Sequence, residues 1–243
     1  MEKPDPAAVP VEIAPVSEME WHDITTWGVE GRGWEEQERT RYFDRLPVSA
    51  ESETHELKDF FGQFSVWDLS RCSAGMLARF QTDATVIHTR YRLRTNDLAL
   101  PHMPATGVSG VDLYAPDTDG KWRYVIGSKP GICHTAIIGR QLDHPVMNLG
   151  FSGTGRMDPV IGRFLTQVDA AVFVIECCGN MQPEQIRERC VPLVKQLRAA
   201  RPDTPIVLAE DRGFPNAWIV QAKAAYNREN HAALREAYQQ LVE

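Results

Sequence analysis

The chain has 243 residues, of which 43% are hydrophobic and 24% charged, with a formal net charge of −7 and a pI near 5.5. That balance belongs to an ordinary globular protein of one large or two modest domains. It excludes a general nucleic-acid binder, because no basic stripe is available to displace phosphate counterions.

Residues 1–20 read as a disordered tail, since Met1 to Pro15 is rich in proline and acidic residues. The same stretch lacks the basic n-region and apolar h-region of a signal peptide, and no apolar run is long enough to span a bilayer. The five cysteines, Cys72, Cys133, Cys177, Cys178 and Cys190, form an odd set without CxxC spacing. They read as reduced thiols in a cytoplasmic protein, with no metal and no cofactor expected.

From residue 21 to 125 the pattern is short β-like segments separated by turn residues. Val86 to Leu93 alternates apolar and polar, as a half-buried strand does. Val111 to Tyr114, the turn cluster Asp117-Thr118-Asp119-Gly120 and Lys121 to Val125 read as a hairpin. The whole stretch suggests a β-sandwich.

From residue 126 to 243 the period changes. Helices are expected over 132–142, 157–166, 183–200 and 227–242, with Pro192 able to kink the third. Strands are expected over 146–149, 170–175 and 205–209. The nearly continuous apolar run Ala170 to Ile175 suggests burial on both faces. Strands alternating with helices imply a parallel sheet of flavodoxin-like α/β/α type, with ligands at the strand C-termini.

Two segments at such ends carry chemistry. Asn148-Leu149-Gly150-Phe151-Ser152-Gly153-Thr154-Gly155-Arg156 follows a short apolar strand and opens a helix, so its N–H groups can converge on negative charge. Glu176-Cys177-Cys178-Gly179-Asn180-Met181 ends the next strand with a side-chain amide. A glycine N–H plus an asparagine amide can hold the oxyanion of acyl transfer. A tight strand-to-helix turn would also explain Gly153, and a helix N-cap before Pro183 would explain Asn180. As a phosphate cradle the first segment fits neither GxxxxGK[ST] nor a clean GxGxxG.

These two segments resemble blocks II and III of the SGNH (GDSL-like) hydrolases. Gly110-Val111-Asp112-Leu113-Tyr114 resembles the GxDLY signature that precedes the hydrolase domain in one esterase branch. Trp67-Asp68-Leu69-Ser70, Ser73-Ala74-Gly75, Arg79 to Asp83, Pro202 to Leu208 and Glu210-Asp211-Arg212 fit the same pattern. The resemblance implies a β-sandwich at 21–125 followed by an α/β hydrolase domain at 126–243. It also implies an ester hydrolase in which Gly153 and Asn180 donate to the oxyanion. Small esters or acylated sugars are the substrates it suggests, with no nucleic-acid or membrane partner.

The departures from the family are equally specific. Arg123-Tyr124-Val125 runs almost directly into Ser128-Lys129-Pro130-Gly131, which resembles the segment downstream of block I. An internal deletion of the first hydrolase strand is the simplest account. Tyr124-Val125-Ile126-Gly127-Ser128 is the competing one, a strand followed by Gly-Ser that makes Ser128 the candidate nucleophile. No Asp-x-x-His occurs in the sequence, consistent with a C-terminal truncation of the family pattern. His231 reads as a helix-packing residue, His144 as a turn residue, and Asp211-Arg212 as a loop-fixing ion pair. Cys133 and His134, neighbours on a helix, would point apart.

A non-catalytic pseudo-hydrolase or carbohydrate-binding protein is the alternative. Trp21, Trp27, Trp34 and Trp67 would then stack on sugars if exposed. Loss of a central strand would expose a sheet edge and favour self-association.

Overall fold

A computed structural model describes residues 19–94, 110–127, 138–139 and 141–243. They fall into two compact units of mixed α/β character. One draws on the chain up to Glu30 and on Leu77–Pro145, the other on Gly31–Met76 and Val146–Glu243.

In the first unit, β1 (Asp112–Pro116) pairs antiparallel with β2 (Trp122–Gly127). The expected turn closes this hairpin: Asp117 N–H donates to Lys121 O at 2.8 Å, and Gly120 N–H to Asp117 O at 2.9 Å. Tyr114 and Tyr124 face each other across the ladder, with ring centroids 5.6 Å apart. This pair is the only two-stranded ladder of the unit among the described residues, so the hairpin is present and a sandwich goes beyond what is seen. Val86–Leu93 joins no ladder there despite its alternation, and most of its side chains are exposed. A period-two pattern finds its strand only where a neighbour supplies backbone partners.

The second unit holds the short helices α1 (Glu51–Thr54) and α2 (Val66–Ser70). Ser65 and Asp68 cap α2 reciprocally, Ser65 Oγ accepting from Asp68 N–H at 3.0 Å. The unit continues through α3 (Pro159–Leu165), β3 (Phe173–Ile175), α4 (Pro183–Ala200), β4 (Ile206–Leu208) and α5 (Gln221–Val242). β3 and β4 are parallel in the register Phe173↔Ile206, Val174↔Val207 and Ile175↔Leu208.

Helix α4 starts where sequence chemistry says it should. Pro183 stands at its first turn, and Gln182 and Gln185 form a reciprocal cap. It runs continuously through Pro192. Its buried stripe, Ile186, Cys190, Leu193 and Leu197, packs with Phe173, Ile175, Ala233, Leu234 and Ala237 into one core. Gly162 lets α3 approach α4 closely, because a Cβ there would lie 2.9 Å from Leu193 Cδ1. Helix α5 begins at Gln221, six residues ahead of the expected 227, because Ala222, Ala224 and Ala225 favour helix.

Two expectations are corrected. Val146–Leu149 forms no ladder with the described residues. It serves as an extended segment whose Met147 and Leu149 pack on a second core of Trp34, Leu46, Ala50, Val66, Trp67, Phe151 and Phe164. The strand Phe173–Ile175 is not buried on both faces. Phe173 and Ile175 face the helices, whereas Val174 is 61% exposed. Val207 is exposed beside it on β4.

Trp34 and Trp67 belong to the second core, with the Trp34 indole N–H donating to Gln167 Oε1 at 2.9 Å. Core burial takes both away from sugar stacking. Trp21 is exposed under the Arg90 guanidinium, and Trp27 is half-buried against Phe80.

Candidate functional site

The site is built from the segment 148–158 and the turn Cys178–Asn180, a single 3-10 turn after β3. Asn148 Oδ1 accepts from Gly150 N–H at 2.8 Å, which bends the chain out of its extended run. Phe151 O then accepts from Thr154 N–H at 2.7 Å and Gly155 N–H at 2.9 Å, closing a tight loop. Gly153 sits in that loop at φ +75°, a conformation that disfavours any side chain. Its N–H has no acceptor among the described residues.

Asn180 reaches this loop. Its Nδ2 donates to Gly155 O at 3.3 Å, and the second amide hydrogen has no acceptor among the described residues. Asn180 thus contacts the loop that carries Gly153, at Gly155. Asn180 is not the N-cap of α4, a position held by Gln182.

Buried and half-buried side chains grip both walls from behind. Arg45, 3% exposed, donates from Nη1 to Asn148 O at 3.0 Å and to Gly150 O at 2.7 Å. Its Nη2 and Nε reach Leu69 O at 2.7 Å and Cys72 O at 2.8 Å, and the guanidinium lies over the Phe151 ring. Arg189 of α4 holds the other end of the segment, donating to Arg156 O at 3.1 Å and Asp158 Oδ1 at 2.8 Å. Burial pushes the Asp158 carboxyl above the usual carboxylate range, against the pull of Arg189 and Arg156.

The 178–181 turn is held by α5. Asn230, fully buried, donates from Nδ2 to Cys178 O and Met181 O, both at 2.9 Å. The Tyr226 hydroxyl donates to Met181 O at 2.6 Å, and burial raises its pKa. Burial also pushes the thiols of Cys177 and Cys178 up to about 11 and about 12. Both are therefore protonated fillers rather than nucleophiles.

Beside this turn lies a cluster that sequence reasoning set aside. His231 Nε2 is 2.6 Å from Asp211 Oδ1, and its Nδ1 is 3.5 Å from Glu210 Oε2. Asn227 Nδ2 donates to Asp211 Oδ2 at 2.7 Å, and Arg235 Nε to Glu210 Oε1 at 2.7 Å. Asp211 thus pairs with His231 and Asn227 across the β4–α5 connection, in place of the expected partner Arg212. The signal for the pairing was 20 residues of sequence separation spanning a loop and a helix, with no motif to mark it. With both ring nitrogens turned to carboxylates, His231 ties α5 to the end of β4. Its Nε2 is taken by Asp211.

Ser128 lies outside the described residues, as do Cys133 and His134. His144 is exposed in a turn, its N–H donating to Gly139 O. A surface depression lined by Gly120, Lys121, Trp122, Arg123 and Gln141 belongs to the first unit and contains no catalytic acid, base or nucleophile.

Comparison with known proteins places the chain in a family. Residues 125–243 match the GDSL-like Lipase/Acylhydrolase family, and residues 19–144 match the N-terminus of the SGNH-hydrolase-type esterases, the GxDLY region. No curated protein matches the chain. Among solved structures, a GDSL-like lipase from Bacteroides ovatus ATCC 8483 is similar with a TM-score of 0.70 and 17% identity. That similarity covers 90% of this chain and 82% of the other, and at that identity it shows a shared fold. No helix among the described residues is long and apolar enough to cross a membrane.

Proposed function

The chain belongs to the SGNH (GDSL-like) hydrolase family, in the branch with a GxDLY N-terminus, and on that premise we propose that it is an acyl-ester hydrolase in lineage and ligand. The observation that carries this reading is the reach of the Asn180 amide, after β3, to Gly155 in the loop that carries Gly153, whose N–H has no acceptor among the described residues. In this reading both groups donate to the carbonyl oxygen of a small ester or acylated sugar as it becomes an oxyanion. One such donor contributes about 2.7–4 kcal/mol to the transition state in other enzymes. No cofactor is required.

Ser128 is the proposed nucleophile. Its Oγ would bond to the acyl carbon, its proton would pass to solvent, and the alcohol would leave as the tetrahedral species collapses. Water would then release the acid. The sequence contains no Asp-x-x-His, and His231 Nε2 is held by Asp211. Acylation is therefore expected to be slow, since nucleophile, base and orienting carboxylate act as a unit.

A non-catalytic ligand-binding role is the second reading, and the engagement of His231 favours it. A fluorophosphonate probe with peptide mapping separates the two. An adduct at Ser128 that is lost in Ser128→Ala supports the hydrolase reading. No adduct, beside a labelled active relative, overturns it in favour of the binder.

A further inference from the structure

The loop that carries Gly153 has a neighbour with no role in the account above. Asp59 Cβ lies 3.7 Å from where a Cβ on Gly153 would stand, so the turn Asp59–Phe64 lies beside that glycine, on the side a Cβ would occupy. This turn is tightly built. Asp59 Oδ1 accepts from Phe61 N–H at 3.1 Å and Gln63 N–H at 2.8 Å, and Asp59 N–H donates to Phe64 O at 2.9 Å. Lys58 and Ser65 close its base by a bridge, and Gly62 takes the left-handed backbone at φ +68°. Arg156, the last residue of the glycine loop, donates to Lys58 O and lies over the Phe60 ring at 5.3 Å.

What this rigid turn presents is apolar. Phe60 is 62% exposed, Phe61 86% and Phe64 39%. Leu57 before the turn and Val66 and Trp67 after it belong to the core, but the three phenylalanines do not. Aromatic side chains of this size left in water at the tip of a well-formed turn are unfavourable unless a ligand covers them. Phenyl rings carry no polar group with which to bond sugar hydroxyls, so an aliphatic chain suits them better than a glycan.

We propose that the turn Asp59–Phe64 is the acyl-recognition face of the Gly153–Asn180 site, and that the ester it takes carries an aliphatic acyl chain of several carbons. This rests on the oxyanion reading of Gly153 and Asn180. Arg156 of the glycine loop lies over the Phe60 ring, and the neighbouring Phe61 is the most exposed ring of the same turn, open to the chain beyond the carbonyl.

Calorimetry of the full chain with methyl-, butyl- and hexylphosphonate tests both layers separately, the phosphonate standing in for the tetrahedral oxyanion and its alkyl group for the acyl chain. The wild-type protein is expected to bind more tightly as the chain lengthens, by about twofold per methylene. Complete burial of a methylene would give about fourfold. Phe61→Ala should flatten that slope while methylphosphonate affinity stays within about twofold, and Phe61→Leu should restore it. Because Phe61 is so exposed, neither change threatens the fold. A wild-type affinity independent of chain length, or a slope that survives Phe61→Ala, overturns the proposal. Failure of wild-type protein to bind methylphosphonate, or binding undiminished in Asn180→Ala, overturns the oxyanion reading itself.

Discussion

The two walls of the site are held by opposite chemistries. The segment 148–158 is gripped by guanidinium groups, Arg45 at one end and Arg189 at the other. The turn 178–181 is gripped by neutral groups of α5, Asn230 and Tyr226. In both walls the donors take backbone carbonyls. Asn180, standing on the second wall, adds its side-chain amide toward the first. The comparison teaches that a loop and a turn can be fixed through their backbone carbonyls by charged donors in one case and neutral donors in the other.

The charged wall should be the costlier one to damage. Arg45→Met leaves the carbonyls of Leu69, Cys72, Asn148 and Gly150 without this donor in a buried setting. A loss of about 3 kcal/mol or more is expected in urea unfolding. A loss under about 1 kcal/mol would show that the guanidinium does not organise the loop. On the neutral wall, Asn230→Leu removes the donor to Cys178 O and Met181 O and should cost about 2 kcal/mol. If it costs more than Arg45→Met, the ranking of the walls is reversed.

Alkaline pH should separate the walls again. Cys177, Cys178 and Cys190 have folded pKa values of about 11, 12 and 11, raised by burial, while an unfolded thiol titrates near about 8.5. Their contribution is fully present below the unfolded value and falls away as pH rises toward the folded ones. About 2 kcal/mol per thiol should be lost by roughly pH 10. Iodoacetamide at neutral pH should accordingly modify exposed Cys72 ahead of these three. Rapid labelling of Cys178 in folded protein would contradict the packing of the turn. The smallest change in stability is expected from Asn180→Ala, under about 1 kcal/mol, since that side chain makes one long hydrogen bond.

How legible this was in the sequence depends on distance along the chain. The stripe of α4 and the apolar core of β3 and β4 could be read because helix and strand periods are local. Gly153 and Asn180 could be read because each lies in a compact motif after an apolar run. Arg45 could not: its contacts to Asn148 and Gly150 cross 103 and 105 residues, and in Arg45-Leu46-Pro47 nothing marks it as buried. Tyr226 and Asn230 look like polar residues on an amphipathic helix until the helix is docked. The stretch 31–76 was read as β-like from its turn residues, yet it forms short helices and 3-10 turns around Leu46, Val66 and Trp67. Its apolar residues have neither a strand nor a helix period, so packing decided its form.

The central claim, that Gly153 and Asn180 together hold an oxyanion, is tested most directly by nitrogen-15 NMR of the labelled protein during titration with methylphosphonate. The Gly153 amide and the Asn180 side-chain amide should shift together, saturably and with one dissociation constant, and Asn180→Ala should weaken that response at Gly153. Shifts confined to other parts of the chain, or a Gly153 response that Asn180→Ala leaves unchanged, would contradict it.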